Sequence, residues 1–354
     1  MKKIIFVLPS LKAGGAERVI SHIAQKLDPG KFNVVLIVIG FEKDSVYKTD
    51  TVKTIFLNKT RLIRGIPLIA LQIFKIKPDI VVSTIGHVNI FMGFLSMFFR
   101  KICFVGREAS VLSHMQIYSN TQSKFYQSLV RVFYNRLDKI ICQSKDMALD
   151  LQSNFNIDPR KLIVINNPIT IQHNIKRKDF DNDKTVQFVT VGRMSGEKGY
   201  DRILAGLATI TSYDFHYTII GDGPLKNDIL NMADDFGLKS RITHIPYTSD
   251  ILQRLSQMDV FLQGSYVEGF PNAALESCSV GTPVIAFDAP GGTREIVENG
   301  ISGFIVKDHA DFTELLANKS LILSSNPEDV SSHILNKFNS SKITGEYELL
   351  FDPL

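Results

Sequence analysis

Cysteine is scarce in this chain. Three residues, Cys103, Cys142 and Cys278, occur in 354, and no pair has CxxC spacing. That excludes a disulfide framework and a thiolate metal site, and the three read as buried thiols of a reducing cytoplasm. Long apolar runs are missing too. The N-terminal MKKIIFVLPS is apolar only from Ile4 to Leu8, shorter than a signal-peptide core, and the turn residues Gly14-Gly15 follow. It reads as a first core strand, and no run is long enough to span a bilayer. The glycine-rich turn after that strand, GGAER, lacks the G-x-G-x-x-G spacing of a dinucleotide fingerprint, which counts against a nicotinamide enzyme. There is no nucleic-acid motif, no basic-aromatic interleaving and no internal repeat, so nucleic acid is not an expected partner.

What is present is an ordinary globular composition, 44% hydrophobic and 21% charged, long enough for two domains. The net charge of +4 hides an asymmetry: residues 1–165 hold 24 Lys+Arg against 11 Asp+Glu, and the remainder holds 16 against 25. A basic first half suits an anionic surface or acceptor.

Short apolar strands alternate with helical segments throughout, which predicts an α/β chain of two doubly wound, parallel-sheet domains. The first spans 1–168, from the strand at Ile4 to the one ending at Asn166. A polar, aperiodic linker covers 169–184, and the second domain covers 185–339, with the tail 340–354 packing back on the first. In the second, strands are expected at Val186–Val191, Phe215–Ile220, Ile242–Ile245, Val260–Gln263, Val284–Phe287 and Gly303–Val306, and single helices over Thr293–Glu298 and Asp311–Leu323. A cleft between two such domains would collect the C-terminal strand ends where ligands bind.

Chemistry concentrates in GSYVEGFPNAALESCSVG, Gly264 to Gly281. A loop punctuated by Gly269 and Pro271 feeds a helix from Asn272 to about Val280. Unpaired N–H groups and a positive dipole end make such a helix start a phosphate site. Glu268 and Glu276 flank it, eight residues apart. Carboxylates repel phosphate but accept well from vicinal hydroxyls, so the stretch describes a nucleotide sugar. Arg193 and Lys198, in a loop with Gly192, Gly196 and Gly199, can clamp a diphosphate, the one by a fork and the other as a point charge.

Four motifs in order, GGAE (Gly14 to Glu17), VGRMSGEKG (Val191 to Gly199), GDGP (Gly221 to Pro224) and EGFPNAALE (Glu268 to Glu276, an E-x7-E motif), cover the chain from residue 14 to beyond 300. In them the chain resembles the retaining nucleotide-sugar glycosyltransferases of GT-B architecture, specifically glycosyltransferase family 4. The resemblance implies that Arg193 and Lys198 bind the diphosphate and stabilise the leaving group in place of a metal, with no cofactor beyond the co-substrate, most simply a UDP-sugar. Consistent with this, the one DxD-like pair, Asp181 and Asp183, falls in the linker. The resemblance further implies that Glu276 holds the ribose and Glu268 the transferred sugar near its anomeric carbon. Gly269 and Phe270 help to bind the donor, the N–H groups of Asn272, Ala273 and Ala274 donate to its phosphates, and Gly14 and Gly15 lie against donor or acceptor. Glu17 serves equally well as a helix cap. Where many relatives carry a histidine after the strand at Phe104-Val105-Gly106, this chain has Arg107-Glu108, with His87 and His114 outside that slot. Glu108 is then a candidate base near the acceptor.

The acceptor implied for this family is often a polyprenyl-diphosphate-linked saccharide, in bacterial surface polysaccharide synthesis. Three basic-apolar segments could dock on an anionic cytoplasmic membrane face: Lys59 to Lys77, Ile90 to Lys101, and a helix near Ser123 to Leu137. Two other readings stay open: an epimerase or phosphorylase of the same architecture, and a non-catalytic subunit that binds the nucleotide sugar.

Overall fold

The first strand, Lys2–Leu8, is buried without interruption from Ile4 to Leu8. A continuous apolar run, rather than alternation, is what a strand covered by helices on both faces requires. The computed structural model describes residues 1–118, 124–171 and 185–354. In it, β1 (Lys2–Leu8), β2 (Phe32–Val38), β3 (Lys53–Phe56), β4 (Ile80–Thr84), β5 (Cys103–Arg107), β6 (Lys139–Cys142) and β7 (Leu162–Val164) form one parallel sheet. Their order is β3-β2-β1-β4-β5-β6-β7. A second parallel sheet has the order β10-β9-β8-β11-β12-β13. Its strands are β8 (Val186–Val191), β9 (Phe215–Ile220), β10 (Ile242–Ile245), β11 (Val260–Gln263), β12 (Val284–Phe287) and β13 (Gly303–Val306). All six lie where the apolar runs put them. The linker expected over 169–184 falls, from residue 172 on, outside the described residues, and so do Asp181 and Asp183.

The chain divides into two compact units, Met1–Thr170 with Ser340–Leu354, and Ile171–Asn339. In the second, Phe188, Tyr217, Leu262 and Phe287 from the strands pack with Ile203, Leu204 and Phe312 from the helices. One expectation fails here. The segment Asp311–Leu323 is not a single helix but two, His309–Ala317 and Lys319–Ile322. The break is at Asn318, whose side chain accepts from the N–H of Leu321 at 3.0 Å and so caps the second piece. The helix at Thr293 also stops early, at Ile296.

In the first unit the helix Gly15–Lys26 lays Val19, Ile20, Ile23 and Ala24 on the sheet. The final helix, Ser340–Phe351, adds Ile343, Tyr347 and Phe351 to the same core. Phe351 meets Phe6, Phe32 and Tyr347 edge-on, with centroids 6.2, 6.4 and 5.9 Å away. The Lys2 ammonium donates to its carbonyl at 3.1 Å. Phe351→Ala should therefore destabilise the first unit by about 3–5 kcal/mol, the range for an aromatic cut from a packed core. The check is urea unfolding, in which the transition of the second unit stays where it was.

Candidate active site

In both sheets the strand order reverses between the first strand and its fourth-position neighbour. This is where a doubly wound sheet opens a crevice at its carboxyl edge. In the second unit the reversal lies between β8 and β11. The loop after β8 carries Arg193 and Lys198, and the loop after β11 carries Glu268. Topology alone thus brings together residues separated by 70 positions.

Glycine lets these loops interlock. Gly199 has φ +60°, and a Cβ there would stand 1.8 Å from the Gly264 carbonyl oxygen; one on Gly264 would stand 2.2 Å from that of Gly199. The two backbones cross where neither can carry a side chain. The GDGP turn after β9 packs under the β8 loop in the same way. Met194 N–H donates to the Asp222 carbonyl, and Leu225 N–H donates to that of Met194, both at 3.0 Å. Gly291, after β12, closes on the Glu268 carbonyl with no room for a Cβ.

On this base Lys198 forms an ion pair with Glu268, Nζ to Oε1 at 2.7 Å. Ser265 Oγ donates to the same oxygen at 2.6 Å. Lys198 is 27% exposed and Glu268 only 10%, so the cation is the partner that meets solvent. Arg193, in the same loop, is exposed. Behind the pair stands Arg202, which motif reading did not single out. Its guanidinium lies 3.8 Å from the ring centroid of Tyr266 and 4.1 Å from that of Phe287, and it donates to the carbonyls of Gly264 and Ser265. Tyr266 in turn donates to Asp201 at 2.6 Å. The loop that presents Glu268 is held by an arginine stacked on two aromatic rings. No spacing rule joins Arg202 to Tyr266, so only the fold reveals the contact.

The helix Asn272–Ser279 begins directly after that loop, one residue shorter than expected. Its first backbone bond runs from Leu275 N–H to the Pro271 carbonyl at 3.0 Å, so the N–H groups of Asn272, Ala273 and Ala274 precede any partner within the helix. Glu276 is buried in its second turn. The Gly269 carbonyl accepts from Gly292 N–H at 2.9 Å. The Phe270 ring turns inward, 5.6 Å from Phe338 and over Gly292, and anchors the loop. Arg294 pairs with Asp288 at 2.6 Å, and Gln263 donates to Thr293 at 2.8 Å.

In the first unit Gly14 caps the helix Gly15–Lys26. The Tyr47 hydroxyl bonds both its N–H, at 3.2 Å, and its carbonyl, at 3.1 Å. Gly15 is exposed. Glu17 folds back over Gly14 toward its own helix start. Burial raises its pKa, while its own backbone N–H, Arg107 and Ser10 oppose the rise. Arg107 is fully buried and donates to Tyr347, Thr84 and Asn167. Glu108 is 1% exposed. Its carboxylate accepts from Tyr134 at 2.5 Å and from the N–H groups of Ala109 and Ser110 at 2.8 and 3.3 Å. Burial pushes its pKa up, and those three donors pull it back. Three donors of its own unit thus engage Glu108. His87 and His114 are both exposed.

Gly199→Ala should separate the crossed loops. A left-handed backbone position and a collision with a carbonyl together should cost about 2–4 kcal/mol. The expected result is a lower melting temperature, with the ion pair of Lys198 and Glu268 displaced in a crystal structure of the variant.

Known proteins are similar to this chain along most of its length. The family model for group 1 glycosyl transferases matches residues 171–334, and that for glycosyltransferase family 4 matches residues 13–173. The N-acetylgalactosamine-N,N'-diacetylbacillosaminyl-diphospho-undecaprenol 4-alpha-N-acetylgalactosaminyltransferase of Campylobacter jejuni is 26% identical over 87% of this chain and 86% of its own. The amylovoran biosynthesis glycosyltransferase AmsD of Erwinia amylovora is 22% identical over 91% and 92%. HepE of Anabaena, solved with UDP and glucose, superposes with a TM-score of 0.80 at 18% identity, covering 100% of both chains. Two parallel α/β sheets of this order, the interlocked loops at the second reversal point, and family matches that jointly run from residue 13 to 334 identify the chain as a member of the group 1 glycosyltransferases, family 4, with the GT-B fold.

Proposed function

We propose that this chain is a retaining, metal-independent transferase that moves a hexose or N-acetylhexosamine from a UDP-sugar to a lipid-linked glycan, in bacterial surface polysaccharide synthesis. The observation that carries this is the ion pair of Lys198 and Glu268 beside the start of the helix Asn272–Ser279. A diphosphate entering there meets the Lys198 ammonium, the exposed Arg193 and the first-turn N–H groups. As Lys198 turns to the phosphate, Glu268 gains capacity to accept from a hydroxyl of the sugar. Glu276 takes the ribose. Two relatives support the reading: the Campylobacter enzyme by its name acts on a diphospho-undecaprenol acceptor, and HepE was solved with UDP and glucose.

In the reaction the bond between the anomeric carbon and the phosphate oxygen breaks, and its electron pair stays on the phosphate. The acceptor hydroxyl oxygen bonds the anomeric carbon from the same face, and its proton passes to the departing phosphate oxygen. Negative charge on the leaving group is the largest feature to stabilise, and fixed cations and dipoles do so without reorganising. Glu108 takes no part as a base in this scheme. It positions the loop that follows β5. The first unit, with its excess of cations, carries the acceptor. No helix among the described residues is long and apolar enough to cross a membrane, and we place the enzyme against the anionic cytoplasmic face.

Lys198→Ala and Arg193→Ala should each lower turnover by roughly a hundredfold, the scale of one lost oxyanion contact; near-normal rates in both would remove them from the chemistry. In a thermal-shift screen of UDP-, GDP- and ADP-sugars, the UDP series should raise the melting temperature most, and equally with magnesium or with EDTA. A shift that needs magnesium would overturn the metal-independent reading.

A further inference from the structure

The helix Leu62–Ile76 is apolar on two opposite faces. Gly65, Ile69 and Ile73 are buried against the first unit. Ile63, Leu71 and Phe74 are 66%, 43% and 68% exposed, and Pro67 is exposed between them. Positions 63, 67, 71 and 74 fall at helical spacing, so they form one outward stripe. A solvated rim around a core would put its apolar residues inward, and this stripe does the opposite. Lys59, Arg61 and Arg64 stand at one end of it and Lys75 and Lys77 at the other, with no Asp or Glu anywhere from 59 to 78.

We propose that this helix lies flat on an anionic phospholipid surface and is the element that docks the first unit there. The proposal rests on the membrane reading above and names its site. An apolar stripe with cations on its flanks matches an interfacial helix, whose side chains enter the acyl boundary while its charges meet phosphate headgroups. At 15 residues it is too short to span the bilayer. A second copy of the chain fits this face poorly, because five cations without a carboxylate would oppose five more.

Topology extends the patch. The helix Gly86–Leu95 and the turn after it expose Phe94, Met97 and Phe98, followed by the exposed Arg100 and Lys101. Phe94 and Phe98 pack edge to face at 5.3 Å. The two helices lead into β4 and β5, which are neighbours in the sheet, so their C-terminal ends lie at the same sheet edge. Right-handed crossovers running the same way put both helices on one side. The helix Lys124–Tyr134, by contrast, exposes Phe125 and Val132 beside the exposed Arg131, so its outward face is mixed.

The test is flotation of the full chain with vesicles of phosphatidylglycerol and phosphatidylcholine, and with phosphatidylcholine alone. The variants are L71E/F74E and a control, L149E, another exposed leucine of the same unit. Wild type and L149E should float with the anionic vesicles only, and less at high salt. L71E/F74E should lose roughly tenfold or more of the bound fraction. Its melting curve, and the rise in melting temperature that a UDP-sugar gives it, should match wild type, which separates lost docking from a lost donor site. If L71E/F74E floats like wild type, the helix assignment is wrong while the membrane reading stands. If wild type floats with neither vesicle, both fall. If the chain is a dimer that L71E/F74E makes monomeric, a second copy covers this face and the proposal is overturned.

Discussion

The site in the second unit depends on the crossing of two loop backbones at Gly199 and Gly264. Each glycine occupies space that the carbonyl of the other leaves no wider than a hydrogen atom needs. Because they cross there, the loop after β8 and the loop after β11 share one wall, and Lys198 reaches Glu268 at 2.7 Å. Ser265 fixes the carboxylate oxygen, and Arg202, stacked on Tyr266 and Phe287, holds the chain that carries it. Side chains held by one another and by a rigid backbone keep their geometry before any ligand enters.

The first unit uses polar groups in another way. Arg107 and Glu108 are consecutive and both buried, yet they do not pair with each other. Arg107 spreads its donors over Thr84, Asn167 and Tyr347, joining β4, the end of the first sheet and the C-terminal helix. Glu108 gathers Tyr134 and the following backbone N–H groups, and Gln143 donates to its carbonyl. A buried charge persists only when its hydrogen-bonding capacity is met, and here neutral donors and acceptors meet it. Both side chains tie elements of the first unit together.

How legible was this chain? Strands such as Val186–Val191 and Val284–Phe287 were readable to the residue, because a buried parallel strand is a bare apolar run ended by turn residues. The helix Leu62–Ile76 was visible only as an apolar segment between cations. A helix with two apolar faces loses the one-sided periodicity that marks the usual kind. The break at Asn318 was hidden because a capping side chain acts within one turn, below the resolution of a pattern. The inward turn of the Phe270 ring had no signal in the chain's local pattern, since a glycine two loops away, Gly292, decides where the ring can lie.

Sequence by itself determined the alternation of strands and helices, the glycines that backbone crossings demand, and the residue types of the site: two cations, two carboxylates and a helix start. These are local properties, written in neighbouring residues. Tertiary structure decided which of them meet. It paired Lys198 with Glu268, brought Arg202 behind them, sealed Glu108 under Tyr134, and turned one apolar stripe of Leu62–Ile76 outward. Each of those outcomes depends on the order of strands in a sheet, which joins residues far apart in the chain and leaves no trace in their spacing.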